Sequence, residues 1–444
     1  MHKELHIERL SYGPDAIAHD EDGRIVFVSA AAPGEVIPVE ITEEKPRFAK
    51  AVVAGEPTEP SPNRVTPLCA ACGGCPWGHI AYEAQVEAKT ASVRDALIRT
   101  GHLDKERVYA LVRPCIASAD AWGYRNKIEL AAFAGPDRRL QLGMAKAGSH
   151  ECAALDACPL ADKSIAKTPK ALRGALRYLA GSEDLGIFRV GVRGSRRTHD
   201  VEVALWTSPG PFPRASAAKI LREALPKVTS IVRVVADAGK ARTVKQVEQL
   251  WGKGCWEEEL CGHRYLTSAP SFFQVNTAQA GTLVNTALEF LGGEEALSGA
   301  YVADLYAGGG TFSIPLAAAG AQVVAVESAG SSVRDLRRNA ERNNVAGLVE
   351  AVGGDAAREL PELGELDALI VDPPRAGLAD GVPESITAAR PERLVYVSCD
   401  PATLARDIAR LEALGYALMC AQPVDLFPQT FHVETVVLMS RVKE

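Results

Sequence analysis

The chain has 444 residues, 47% hydrophobic and 24% charged, with a net charge of -7. Such a length predicts two or three domains, and the composition excludes a disordered chain; no apolar run reaches the length of a membrane helix. An acidic total argues against indiscriminate nucleic-acid binding while permitting a local basic groove, and MHKELHIERL carries no apolar signal-peptide core, so a cytoplasmic setting is expected.

In chain order, LHIERL, GRIVFVS, VIPVEIT and FAKAVVAG read as short strands separated by Gly, Pro and Asp turns, which predicts a small β-barrel over 1–58. Glu56 to Pro67 is a Pro-rich linker. The segment 59–110 holds Cys69, Cys72 and Cys75 as Cys-x2-Cys-Gly-Gly-Cys, then an amphipathic helix ended by Gly101. In a cytoplasmic setting the ten cysteines are better read as thiols or metal ligands than as disulfides. Over 111–262, strand runs such as Lys127 to Phe133, Phe188 to Val192, Val201 to Trp206 and Ile231 to Val235 alternate with helical stretches, predicting a central mixed α+β domain. From 263 to 444 strands and helices alternate as in a Rossmann-like, mainly parallel sheet covered by helices, so the fold class is α/β.

Tyr301 to Leu305 is a strand that runs into Tyr306-Ala307-Gly308-Gly309-Gly310 and a helix. The next strand ends at Glu327, placed to accept hydrogen bonds from both ribose hydroxyls of a nucleoside cofactor. The loop lacks the GxGxxG spacing of dinucleotide sites. Asp304 just before it can hold an ammonium group, so S-adenosylmethionine fits better. Asp355, after the Gly-Gly turn, is placed to meet the adenine amino group. Asp372 ends the strand Leu366 to Val371, and Pro373 and Pro374 fix it beside the expected methyl group. Amino-group methyltransferases usually carry an aromatic after those prolines, and Arg375 departs from that.

Val395, Tyr396 and Val397 form a short apolar strand, followed by Cys399 and then by Asp400-Pro401 with Leu404, Ile408 and Leu411 on one helical face. This puts Cys399 at the carboxyl edge of a sheet beside the positive end of a helix, which favours thiolate. It is a candidate nucleophile.

Together, Phe272-Phe273-Gln274-Val275-Asn276, DLYAGGGTF, VDPPRAG, SCDPATLARD and DLFPQTFHVETV resemble the RNA 5-methyluridine methyltransferase family; Tyr124-Arg125-Asn126-Lys127 and the amino-terminal barrel, similar to a TRAM domain, extend the resemblance along the chain. The resemblance implies methylation of carbon 5 of an RNA uridine. Cys399 would add to carbon 6, Glu434 would remove the carbon-5 proton, and Asp372 would orient the uracil. Gln274, Tyr306, Glu327, Asp355 and Asp372 would line the cofactor pocket. The target base must leave its stack. Arg125, Lys127, Arg193, Arg196 and Arg197 are candidate phosphate contacts.

The cysteine run, with Cys158 before Pro159, is similar to the ligands of a [4Fe-4S] cluster, which needs four thiolates. Relatives place the first cysteine where this chain has Thr66, so Cys69 would serve instead. A four-thiolate zinc site and no metal at all stay open. The barrel and cysteine run lean towards 23S ribosomal RNA, with transfer RNA as the alternative target. A non-catalytic RNA-binding protein and a cytosine-5 enzyme are the competing readings. No membrane association or obligate protein partner is indicated, and a monomer is expected.

Overall fold

The amino-terminal strands form because β-branched residues alternate with polar ones, so one face is buried. In the computed structural model, which describes residues 2–239 and 243–442, His2–His6, Val36–Glu44, Phe48–Val53, Ile25–Ser29, Ala16–His19 and Arg9–Leu10 make one six-stranded sheet in that order. Its core collects Leu5, Ile7, Val26, Val28, Ile37 and Val39, and two residues of the following segment, Trp77 and Ile80, fill it. The strand Ala16–His19 was not foreseen. It is four residues long, too brief to show a period.

Contacts divide the chain into two units. The first comprises Met1–Ala121, Pro374–Leu378 and Tyr396–Glu444; the second comprises Trp122–Pro373 and Ala379–Val395. The helix Tyr82–Arg99 belongs to the first, and it buries Gln85, Lys89, Val93 and Leu97. The second holds a mixed seven-stranded sheet, ordered Val244–Gly252, Ser230–Ala236, Val201–Thr207, Ile187–Gly194, Lys127–Ala134, Leu140–Ala145 and Cys152–Ala154.

Seven strands carry the carboxyl-terminal sheet: β1 (Tyr301–Leu305), β2 (Gln322–Glu327), β3 (Val349–Gly353), β4 (Ala368–Val371), β5 (Arg393–Ser398), β6 (Tyr416–Val424) and β7 (Glu434–Arg441). In the second unit the order is β3-β2-β1-β4 and the start of β5, and β1 runs parallel to both β2 and β4. All of β4 and nearly all of β1 is buried, as strands covered on both faces require. In the first unit the end of β5 is followed by β7 and then β6, an antiparallel pair. The Rossmann-like fold with a TRAM-like amino-terminal sheet is therefore as the sequence led us to expect.

Candidate active site

In the second unit the cofactor-type residues gather at the carboxyl ends of β1, β2 and β4. Tyr306, one step past β1, has φ +66°, a conformation uncommon for a residue with a side chain. Such strain concentrates at working sites. Gly310 has φ +93°, and a Cβ there would come within 2.6 Å of Leu336 Cδ1, so the loop needs glycine at that point. Glu327 closes β2. Its Oε2 accepts from the Gly308 amide at 2.9 Å and its Oε1 from the Ala329 amide at 2.6 Å, so the glycine loop itself orients the carboxylate.

Asp304 is fully buried; Ser313 donates to its Oδ2, and Oδ1 has no partner. Burial pushes the Asp304 carboxyl up to about 7, against the two hydrogen bonds from Ser313. Asp372, whose amide donates to the Leu305 carbonyl at 3.2 Å, is likewise pushed up to about 7, by the surrounding protein first and by Asp304 second. Two carboxyls raised in this way, one with an orphaned oxygen, suit a cationic guest. Asp355 is exposed and caps a short helix through the Ala357 amide at 3.0 Å. It also lines an open concavity of about 500 Å³ together with Ser328, Gly330 and Gly354.

Gln274 is buried, and its carbonyl accepts from Asn126 Nδ2 at 2.8 Å; the same amide group donates to Thr277 Oγ1 at 2.9 Å. This pair of bonds explains why Tyr124-Arg125-Asn126-Lys127 and Phe272-Phe273-Gln274 occur together. Phe273 packs edge-on against Trp256, with ring centroids 5.4 Å apart, whereas Phe272 is 63% exposed.

In the first unit, Cys399 follows β5 and is partly exposed. Asp400 Oδ1 accepts from the amides of Ala402 and Thr403, both at 3.0 Å, and starts the helix Pro401–Ala413, whose Leu404, Ile408 and Leu411 are fully buried. Glu434 opens β7 and is buried. Tyr12 of the amino-terminal sheet donates its hydroxyl to the Cys399 carbonyl at 3.2 Å. Burial, followed by Asp400 and Cys399, raises the Tyr12 phenol far above its ordinary range, and Glu434 acts in the same direction. The Tyr12 ring also meets Phe431, three residues before Glu434, at a centroid distance of 5.7 Å.

Sequence reasoning missed what holds the Glu434 loop. Gln429 has φ +69° and exchanges two hydrogen bonds with Gln85, at 2.8 and 3.0 Å. Nearby, Asp425 is fully buried and takes Lys89 Nζ at 2.5 Å and the Tyr82 hydroxyl at 2.8 Å. The only legible signal was polar residues at Gln85 and Lys89 on the apolar face of a helix.

Among the described residues, no group of three or more His, Cys, Asp or Glu side chains is arranged to hold a metal ion. Cys158 is buried, while Cys69, Cys72 and Cys75 are partly exposed. One expectation needs correction: Arg193 is not a phosphate contact. It is buried, donates to the carbonyls of Ser268 (3.0 Å) and Ser271 (2.5 Å), and lies over the Trp256 ring. Lys127 is tied to Glu129 and Arg196 to Asp162, while Arg197 is exposed.

A family model described as tRNA (Uracil-5-)-methyltransferase matches residues 82–352 and 361–442, and a TRAM domain model matches 2–54. An uncharacterized RNA methyltransferase of Thermosynechococcus vestitus is 36% identical over 98% of this chain and 97% of its own. Another, of Clostridium tetani, is 35% identical over 94% and 91%. Among solved structures, Pyrococcus abyssi tRNA (uracil-54, C5)-methyltransferase in complex with S-adenosyl-L-homocysteine matches with TM-score 0.74 and 27% identity, covering 98% of this chain and all of that one.

Proposed function

The chain belongs to the tRNA (uracil-5-)-methyltransferase family of S-adenosylmethionine-dependent RNA methyltransferases, with an amino-terminal TRAM domain, and we propose that it methylates carbon 5 of a specific 23S ribosomal RNA uridine through a covalent cysteine adduct. The observation that carries this reading is Cys399, between a buried strand and a capped helix, with Tyr12 bonding its carbonyl and packing on Phe431, three residues before Glu434.

Carbon 5 of uracil is a poor nucleophile. The Cys399 thiolate adds through Sγ to carbon 6, and the electron pair of the 5,6 double bond moves into an enolate. Bound S-adenosylmethionine supplies the methyl group that carbon 5 takes up, leaving S-adenosylhomocysteine. Glu434 then takes the carbon-5 proton, the double bond re-forms, and the bond from Sγ to carbon 6 breaks to return the thiolate. Asp372 hydrogen-bonds the polar edge of the uracil. Gln274, Tyr306, Glu327 and Asp355 bind the cofactor, and the orphaned oxygen of Asp304 receives its ammonium group. The uridine must leave its stack to meet the Cys399 thiolate.

The residue ranges 1–58, 59–110, 111–262 and 263–444 are our proposed functional divisions: barrel, cysteine segment, central RNA-binding domain and catalytic domain. Cys69, Cys72, Cys75 and Cys158 remain our candidates for a [4Fe-4S] cluster, on the strength of the Cys-x2-Cys-Gly-Gly-Cys run alone, and no chemical step passes through it. Iron and sulfide assay of anaerobically purified protein tests that assignment. A cytoplasmic setting and a monomeric state are part of the same proposal. Among the described residues, no helix is long and apolar enough to cross a membrane.

A transfer RNA uridine is the second reading, favoured by the P. abyssi match. The test is to incubate the protein with labelled cofactor and total RNA from a strain deleted for the gene, then map the label. Label in 5-methyluridine of 23S RNA is expected; label confined to transfer RNA would shift the substrate, and no label would leave only an RNA-binding role. Glu434→Gln should accumulate a covalent RNA adduct and Cys399→Ala should form none. Adduct in the alanine variant would refute Cys399 as nucleophile.

A further inference from the structure

Tyr12 lies in the turn between Arg9–Leu10 and Ala16–His19, inside the segment matched by the TRAM domain. The turn is braced from several sides. The Ser11 amide donates to the Asp15 carbonyl at 3.0 Å, the Ser29 hydroxyl donates to the Asp15 carboxylate, and Trp77 Nε1 donates to the Gly13 carbonyl at 3.0 Å. Trp77 is fully buried, so its contact is a fixed strut. The braced turn presents Tyr12 to two catalytic segments of the first unit. Its hydroxyl binds the Cys399 carbonyl at 3.2 Å, and its ring meets Phe431 edge-to-face at a centroid distance of 5.7 Å, three residues before Glu434.

We propose that Tyr12, contributed by the amino-terminal barrel, is a positioning residue for the methyl transfer: it fixes the Cys399–Asp400 peptide that aims the thiol and ties it to the loop carrying the base. This rests on Cys399 as nucleophile and Glu434 as base. A carbonyl held by a phenol cannot swing freely, and a peptide plane that cannot swing restricts where Sγ sits relative to carbon 6. Small misplacements of a reacting atom cost rate out of proportion to their size. The phenol stays neutral through the working pH range, because burial and the acidic groups around it oppose its ionisation. It is therefore a constant donor that never adds a competing negative charge beside the thiolate. The barrel is accordingly part of the catalytic centre, not only a handle for RNA.

Tyr12→Phe keeps the ring against Phe431 and removes the donor alone. With 5-fluorouridine-substituted RNA, the full-length variant should form the covalent adduct about tenfold more slowly than the natural protein, with unchanged KM for RNA and cofactor, an unchanged melting temperature, and the same pH profile. Tyr12→Ala should slow adduct formation further and also retard tritium release from 5-tritiated uridine, since the Phe431 contact goes as well. An adduct rate within twofold of the natural protein in Tyr12→Phe would overturn the proposal, as would a raised KM for RNA with intact kcat, which would make Tyr12 an RNA contact. Should Tyr12→Phe melt early, Trp77→Phe withdraws the strut at Gly13 instead, and an undiminished kcat there would overturn the proposal equally. If the natural protein forms no adduct while Cys399→Ala still methylates, the chemical reading itself has failed, a result distinct from any of these.

Discussion

The cofactor half and the thiol half of this protein are built by different means. Glu327 is oriented by amides only nineteen residues before and two after it, and Tyr306, Asp304 and Asp372 are set by the ends of adjacent parallel strands. The Cys399 and Glu434 half depends instead on partners hundreds of residues away: Tyr12 on the Cys399 carbonyl, Gln85 on Gln429, Lys89 and Tyr82 on Asp425. A ligand pocket can be encoded locally because a strand end and a glycine loop suffice to make it. The segments of the proposed nucleophile and base are instead held by struts from elsewhere in the chain.

The difference can be broken on one side at a time. Lys89→Met removes the ammonium group from the buried Asp425 carboxylate, leaving it the Tyr82 hydroxyl and the Phe427 amide, and stripping one charge from such a pair costs about 3–5 kcal/mol. Chemical denaturation should show a loss of that size together with a large fall in turnover, while cofactor binding persists. Adding Asp425→Leu should restore much of the stability, and a double variant no more stable than the single one would contradict the pairing.

A change of pH probes the other side. The Asp304 carboxyl is raised, so below about 7 it is largely neutral and cannot pair with an ammonium group; above it the carboxyl is ionised and can. Cofactor affinity should therefore rise about tenfold from pH 6 to pH 8 and fall as the solution is acidified. Calorimetry in buffers of different ionisation heat should detect proton release on binding near pH 6.5. Asp304→Asn should flatten the dependence, and an unchanged slope would remove Asp304 from the cofactor site.

The smallest effect concerns the basic surface. Arg197→Ala should lower the salt slope of RNA binding by about one, whereas Arg193→Gln should leave that slope alone and reduce stability instead. A slope change in the Arg193 variant would show that its carbonyl contacts open when RNA binds.

This division also marks where reading the sequence succeeded. Asp400 as a cap, the Leu404, Ile408 and Leu411 face, and Glu327 at a strand end all follow from spacing within a dozen or so residues, and each appears as expected. Arg193 looked like a phosphate contact because its acceptors, the carbonyls of Ser268 and Ser271, lie some seventy-five residues further on and carry no side-chain signature. Tyr12 and Gln85 were illegible for the same reason: a hydrogen bond to a distant carbonyl or amide leaves no periodic trace. The cysteine run was legible as a motif because its three thiols fall within seven consecutive residues.

The segments that complete the first unit, from Tyr396 onward, are translated long after the barrel and the helix Tyr82–Arg99 that belong with them. Contacts spanning more than three hundred residues form late, since the intervening chain must be ordered or looped out before they close. On the ribosome, the barrel and that helix therefore wait with partnerless surfaces, Lys89 among them, until the final strands emerge. The Cys399 segment gains its partners only at that last stage, so a stalled or truncated product would carry the strand ends of the proposed cofactor site without the setting of the proposed nucleophile.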